Sequence, residues 1–263
     1  MKSYEEFKAT VYANIVSYKE QNITKECGNY KGIEYKEFLP ENYWERELPA
    51  MLYSGINATV SEIQKSIYKY KPHIFANKHV ASSQTACVNL FVPIMESPEV
   101  DQILMSLEAC PKDFKHVAKD QLYHGYRFEF WDSTDEKSKG LLGDHSKQAG
   151  TDSDVAIAYY NTKDELCLWL IEHKLTEQEF TTCGAYRSRG NNEEGKKHCR
   201  KCSMGEILDN PDLCYYHHVS KYNYWNIMRD GAANFFSGAF DGKGCPFRGG
   251  MNQLWRNQLL AMA

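Results

Sequence analysis

The hydrophobic pattern changes period along the chain. Phe7, Val11, Ile15 and Tyr18 recur at helical spacing, as do Val60, Ile63 and Ile67, which predicts two amphipathic helices flanking a loop that contains Gly28, Gly32 and Pro40. A third helix is predicted from His79 to Phe91, closing near Pro93, and a fourth from Val100 to Leu107. YRFEFW (residues 126–131) then reads as the first strand of the main sheet. The connection after it, DSTDEKSKGLLGDHSKQAG, is rich in Gly, Lys and polar residues and is expected to be a flexible loop over the site described below. DVAIAYY (154–160) and LCLWLIEHK (166–174) read as a β-hairpin closed by NTKDE. Leu166, Leu168 and Leu170 fall on one face of the second strand, with Cys167, Trp169 and Ile171 on the other. A strand apolar on both faces is expected at the centre of a layered fold. The final run, MNQLWRNQLLAMA, is a helix by its Leu254, Leu259 and Leu260 pattern.

The hairpin brings chemistry with it. If its pairing is symmetric about Lys163, Asp154 faces Glu172 at a Cβ separation of roughly 5 Å. Glu172 and Lys174 then share a face while His173 points away. Two carboxylates this close, with an ammonium one step along, suit a hard divalent cation such as Mg²⁺ or Mn²⁺ and the activation of a water molecule. Asp154 with Glu172-His173-Lys174 resembles the D…(D/E)xK signature of the PD-(D/E)XK nuclease superfamily, although Ser153 replaces the leading proline. The resemblance implies an α/β, restriction-endonuclease-like core, a mixed central sheet flanked by helices, that cleaves DNA with RNA as the other candidate substrate. It assigns Asp154 and Glu172 to the metal and Lys174 to the attacking water. It also points to Gln84, on the helix before the first strand, as a further catalytic residue, with Glu129 as another carboxylate. The implied organisation is a mostly helical region over residues 1–110 and a nuclease-like core over 111–263, the latter containing a cysteine-rich insert at 183–245. In that core a helix and a fourth strand follow the third strand. Either the helix lies near Tyr222–Phe236 or the chain stops short of a complete fold.

Composition narrows the setting. The chain has 263 residues, 42% of them hydrophobic and 25% charged, as globular enzymes do. No apolar run approaches the ~18 residues of a membrane helix and MKSYEEFK lacks a signal-peptide core, so a cytoplasmic, non-membrane protein is expected. A net charge of −4 leaves nucleic-acid contact to a local patch, for which Arg187, Arg189, Lys196, Lys197, Arg200 and Lys201 are the candidates, with Tyr186 able to stack on a base.

Cysteines supply a second signal. Of nine, five follow the hairpin, and Cys183, Cys199, Cys202 and Cys214 form C-x15-C-x2-C-x11-C, with Cys245 in reserve. The CxxC lets two thiolates reach one ion from a single turn, and the surrounding segment is poor enough in apolar residues to gain from a metal staple. Zn²⁺ and a [4Fe-4S] cluster both satisfy four thiolates. His198, His217 and His218 are alternative ligands. The nuclease resemblance tips the expectation to iron-sulfur, as in the Cas4-like and AddB-like groups, although all four cysteines here follow the catalytic strand. Cys27, Cys87, Cys110 and Cys167 read as core packing. From another functional class, the rival reading is a non-catalytic nucleic-acid- or protein-binding module built around a zinc knuckle.

Overall fold

The computed structural model describes residues 3–44, 50–53, 78–133, 138–146, 150–178, 180–187, 199–200, 202–232 and 244–263. The predicted helix around Val60, Ile63 and Ile67 lies outside them. The chain forms two compact units, Met1–Phe130 with Asp154–Gln178, and Trp131–Ser153 with Glu179–Ala263. No helix among the described residues is long and apolar enough to cross a membrane.

In the first unit, α1 (Tyr4–Asn22) starts on a capping box: the Ser3 hydroxyl accepts from the Glu6 amide while Glu6 accepts from the Ser3 amide. Its apolar residues are not what it buries, for Phe7 and Tyr18 are exposed and Lys19 is fully buried. The Lys19 ammonium donates to the carbonyls of Glu26 and Lys36 at 2.6 and 2.9 Å, which offsets its burial. The predicted loop around Gly28 and Gly32 is a small hairpin, β1 (Gly28–Tyr30) with β2 (Ile33–Tyr35), pairing Tyr30 with Ile33. Its two turn residues, Lys31 and Gly32, both take left-handed φ values of 52° and 83°, the geometry that matches strand twist in a two-residue loop. A turn of Lys-Gly rather than Asn-Gly hides that signal in the sequence.

The third predicted helix starts later and runs further, as α2 (Ser83–Met95) capped by Ser82, with α3 (Val100–Met105) after it. Pro93 sits inside the last turn of α2, so it costs the helix one hydrogen bond near the end instead of ending it. Cys87, Val88, Phe91, Val92 and Met95 of α2 pack on the sheet side chains Phe128, Val155, Ile157 and Tyr159 in one core.

The sheet contains β3 (Phe114–Val117), β4 (Tyr126–Phe130), β5 (Ser153–Asn161) and β6 (Leu166–Ile171), of which β3 is an additional strand ahead of the one predicted first. Its centre is β5, which pairs antiparallel with β6 along one edge and is bonded to β3 and β4 along the other. The prediction of a central β6 is therefore corrected. Among the described residues it pairs only with β5, and Leu166 and Leu168 are exposed, so one apolar face is not covered. The buried, near-continuous apolar run that marks a central strand belongs instead to Val155–Tyr159. With helices packed against this sheet, the fold class is α/β, as expected.

The second unit contains the connection expected to be a flexible loop. Its described part is anchored: Leu142, Asp144 and His145 are buried, and the Asp144 carboxylate accepts from Thr151 Oγ1 and, at 2.6 Å, from Tyr224. His145 stacks on Trp131 with ring centroids 3.6 Å apart. The final helix forms as α6 (Asn252–Met262), after α4 (Met204–Asp209) and the one-turn α5 (Tyr215–His218). Near the predicted core helix at 222–236 there are a turn at Tyr224–Ile227 and a π-helical turn at Met228–Ala232, and 233–236 lie outside the described residues.

Candidate active site

The site grows out of hairpin register. The β5–β6 pairs run from Tyr160↔Leu166 to Val155↔Ile171, and one step further out Asp154 stands opposite Glu172. Asn161 locks this register at the turn, its side-chain oxygen accepting from the amides of Lys163 and Glu165 at 2.9 and 3.0 Å. Asp154 is the second residue of β5, and Glu172 follows the last residue of β6.

Three charged groups meet there. Asp154 Oδ2 accepts from the His173 amide at 2.7 Å. The Lys174 ammonium donates to Glu172 Oε1 and lies 3.8 Å from Asp154 Oδ2. The Glu172 side chain is 1% exposed, against 24% for Asp154 and 21% for Lys174. Burial, followed by the Asp154 charge, pushes Glu172 up to about 7, with Lys174 pulling the other way. Burial also works against the Lys174 ammonium, yet its hydrogen bond to Glu172 and the charges of Asp154, Glu172 and Glu177 hold it above the ordinary lysine value. The result is a pair of carboxyl groups close enough to share a proton, with one cation beside them.

Gln84, the second residue of α2, donates from Nε2 to Glu129 Oε1 at 2.7 Å, and its own Oε1 is buried without a hydrogen-bond partner. Glu129 adopts a left-handed φ of 45° within β4. A non-glycine residue held there costs of order 1 kcal/mol or more, and such strain clusters at functional sites. Glu177 is a site residue that the sequence pattern did not single out. Although partly buried, which raises a carboxyl, it is held below the usual carboxylate range by amides of residues 175–177 and by the Ser83 hydroxyl. Its signal was the polar turn Leu175-Thr176-Glu177 directly after the strand. Gln84, Glu129, Asp154 and Glu177 open into one cavity of about 480 Å³, which α1 closes with Tyr4, Lys8 and Tyr12.

The five cysteines that follow the hairpin lie in the second unit, and none of the chain's nine forms a disulfide. Cys183, Cys199, Cys214 and Cys245 are buried, while Cys202 is half-buried. Burial pushes Cys199 up to about 12, and neighbouring Cys214, Cys183 and Cys202 act in the same direction. Cys245 is raised by burial and then by Cys214, Cys183 and Cys199. It therefore shares the neighbourhood of Cys183, Cys199 and Cys214, while Cys202, which acts on Cys199, is itself raised by burial and then by Glu206. Among the described residues, no three His, Cys, Asp or Glu side chains are grouped as a ready metal site. Of the alternative ligands, His217 pairs with Asp212 at 2.9 Å, His218 stands 3.9 Å from the same carboxylate, and His198 lies outside the described residues.

Of the predicted basic patch, Arg200 donates to the Tyr186 carbonyl at 2.9 Å and places its guanidinium 5.9 Å from the Tyr186 ring. Arg189, Lys196, Lys197, Lys201 and the Arg187 side chain lie outside the described residues.

No curated protein and no solved structure matches the chain. A protein family does, over residues 11–263, and its description is "Restriction Endonuclease associating with ARP". With nearly the whole length matched, the chain belongs to this restriction-endonuclease-like family.

Proposed function

We propose that this protein is a Mg²⁺- or Mn²⁺-dependent nuclease that hydrolyses DNA phosphodiester bonds with Asp154, Glu172 and Lys174. The observation that supports it most is the pair of carboxylates set opposite one another by register, with the Lys174 ammonium against both. The donor set suits a hard cation: two carboxylates in mutual repulsion, one of them raised to about 7, lose that repulsion when a divalent charge replaces the shared proton. The orphaned Gln84 Oε1 adds a neutral oxygen acceptor on the same cavity. A bound divalent ion would supply Lewis-acid polarisation of the phosphate and a more acidic water.

The chain's own residues do the rest. Asp154 and Glu172 would hold the ion as carboxylates, so Glu172 must first lose its proton. Lys174, kept charged, would orient the attacking water and offset charge on the phosphate. Gln84 and Glu129 brace one another across the cavity, and Glu177 stays ionised beside them. The family's restriction-endonuclease description supports DNA as the substrate, and its mention of ARP supports a protein associate.

The cofactor half of this reading is a thiolate centre of Zn²⁺ or [4Fe-4S] at Cys183, Cys199, Cys202 and Cys214, the iron-sulfur form following the Cas4-like and AddB-like resemblance. The described thiols are not grouped as a ready metal site, so no catalytic role is given to that centre.

Purified protein is expected to nick or degrade DNA with Mg²⁺ or Mn²⁺ and to stop in EDTA. Asp154→Ala should abolish cleavage. DNA binding that persists in EDTA, with no cleavage under any divalent ion, would support the zinc-knuckle binding module instead.

A further inference from the structure

The catalytic cavity continues along α1. Tyr4, Lys8 and Tyr12 are spaced four residues apart and so lie on one face of that helix. All three line the cavity that Asp154 and Glu177 open into. The Tyr4 hydroxyl donates to the Thr176 carbonyl at 2.8 Å, which fixes the start of α1 against the segment that follows Lys174. Across the cavity, His79 meets Tyr12 edge to face at 5.6 Å and packs on Phe38 at 4.9 Å. His79 Nδ1 accepts from the Ala81 amide at 3.0 Å, so the neutral ring carries its proton on Nε2.

Lys8 and Tyr12 also line a second cavity of about 460 Å³, whose far side carries Lys36 and Glu37. The two concavities therefore share one ridge, with the Lys8 ammonium 5.7 Å from the Tyr12 ring centroid. From the Asp154 side the lining offers carboxylates, then an aromatic corner with the Lys8 cation, then Lys36 as a second cation, with Glu5 and Glu37 on the same second cavity.

We propose that this path is a single-stranded DNA track, in which the strand leaving the Asp154–Glu172 carboxylates places a base on the Tyr12–His79 corner and its next phosphates on Lys8 and Lys36. The identification of the ligand as DNA rests on the nuclease reading; the track itself rests on the two cavities that share Lys8 and Tyr12. Each cavity is of the size that encloses a small ligand and not a duplex, whose grooves are read by a whole inserted helix or ribbon. Base stacking on an aromatic side chain is tolerant of sequence and needs few cations, which fits a protein with a net charge of −4. Duplex DNA would then reach the carboxylates at frayed or unpaired ends.

The test separates binding from chemistry. Binding of a fluorescent oligothymidylate is measured in EDTA for the full-length protein, and cleavage of single- and double-stranded DNA is measured in parallel with Mg²⁺. Tyr12→Leu is expected to weaken binding roughly 5- to 150-fold, the loss of one stacked base. Tyr12→Phe, which keeps the ring, should bind as the parent does. With two phosphate contacts, the logarithm of affinity should fall with the logarithm of salt at a slope of about −1.4. Lys8→Ala and Lys36→Ala should each reduce that slope to about −0.7.

If the parent protein cleaves DNA but these variants bind and cleave as it does, the track is wrong and the nuclease reading stands. If the parent never cleaves while the variants lose binding as expected, the track stands and the nuclease reading fails. Tighter binding of duplex than of single strands, or equal loss in Tyr12→Phe and Tyr12→Leu, overturns the track.

Discussion

Glu172→Gln should make the metal-free protein more stable while it abolishes cleavage. In the parent, Glu172 is nearly fully buried and pushed up to about 7 from an ordinary carboxyl value of 4.5. A folded-state pKa above the unfolded one means that the proton-bound form favours folding. That contribution is complete below about pH 4.5 and is lost as pH rises through about 7. A shift of this size corresponds to a cost of up to about 3 kcal/mol for keeping the carboxylate ionised at pH 8. Glutamine has the same shape, still accepts from Lys174, and carries no charge for Asp154 to repel. At pH 8 in EDTA the variant should therefore gain about 1–3 kcal/mol, or several degrees in Tm. The gain should fade as pH falls and vanish near pH 4.5, where the parent's Glu172 is itself protonated. Thermal unfolding of both proteins from pH 4.5 to 8, with Mg²⁺-dependent cleavage measured alongside, provides the assay. A variant no more stable than the parent at pH 8, or one whose advantage does not change with pH, would show that the carboxylate pair is not under the electrostatic load described. Full cleavage by the variant would remove Glu172 from the metal site.

Lys174→Ala leaves the buried Glu172 carboxylate and the partly exposed Asp154 without their cation, and it is expected to cost up to about 3 kcal/mol at pH 8, read by denaturant unfolding, with less loss at pH 4.5 where Glu172 is neutral. Cleavage by the parent at subsaturating Mg²⁺ should fall about tenfold per pH unit below 7, because the ion competes with the Glu172 proton; a flat profile between pH 5 and 7 would contradict this. For the cysteine segment, anaerobically purified protein is expected to carry either zinc or a brown iron-sulfur chromophore. Metal analysis of Cys245→Ser against Cys202→Ser would show which thiol matters, and absence of both metals from the parent would make the segment an ordinary buried-thiol core.

The site's first half was legible because it is local. A strand pattern with period two, a polar five-residue turn and a second strand specify register through side-chain alternation alone. Counting outward from Lys163 therefore reaches Asp154 opposite Glu172 without any knowledge of the fold. Gln84 was placed by the order of elements, and the structure puts it 2.7 Å from Glu129. The small hairpin at Gly28 and the strand Phe114–Val117 were hidden, the first by an unusual turn residue and the second by its brevity. The polar connection after Trp131 misled because composition shows only that Asp144 is charged. Its burial depends on Thr151 and Tyr224, and Tyr224 lies eighty residues away in sequence.

What the sequence determined by itself was the alternation of the hairpin, the helical character of the first residues and of the final ones, and the carboxylate-carboxylate-lysine spacing. All of these follow from interactions between near neighbours along the chain. Which strand is central, how deeply Glu172 is buried, and that Lys8, Tyr12 and His79 border the same cavity as Asp154 were decided only by tertiary packing. Burial and electrostatic coupling sum over groups distant in sequence. The raised Glu172 is the clearest case, since its charge, its desolvation and its partners come from different elements of the folded unit.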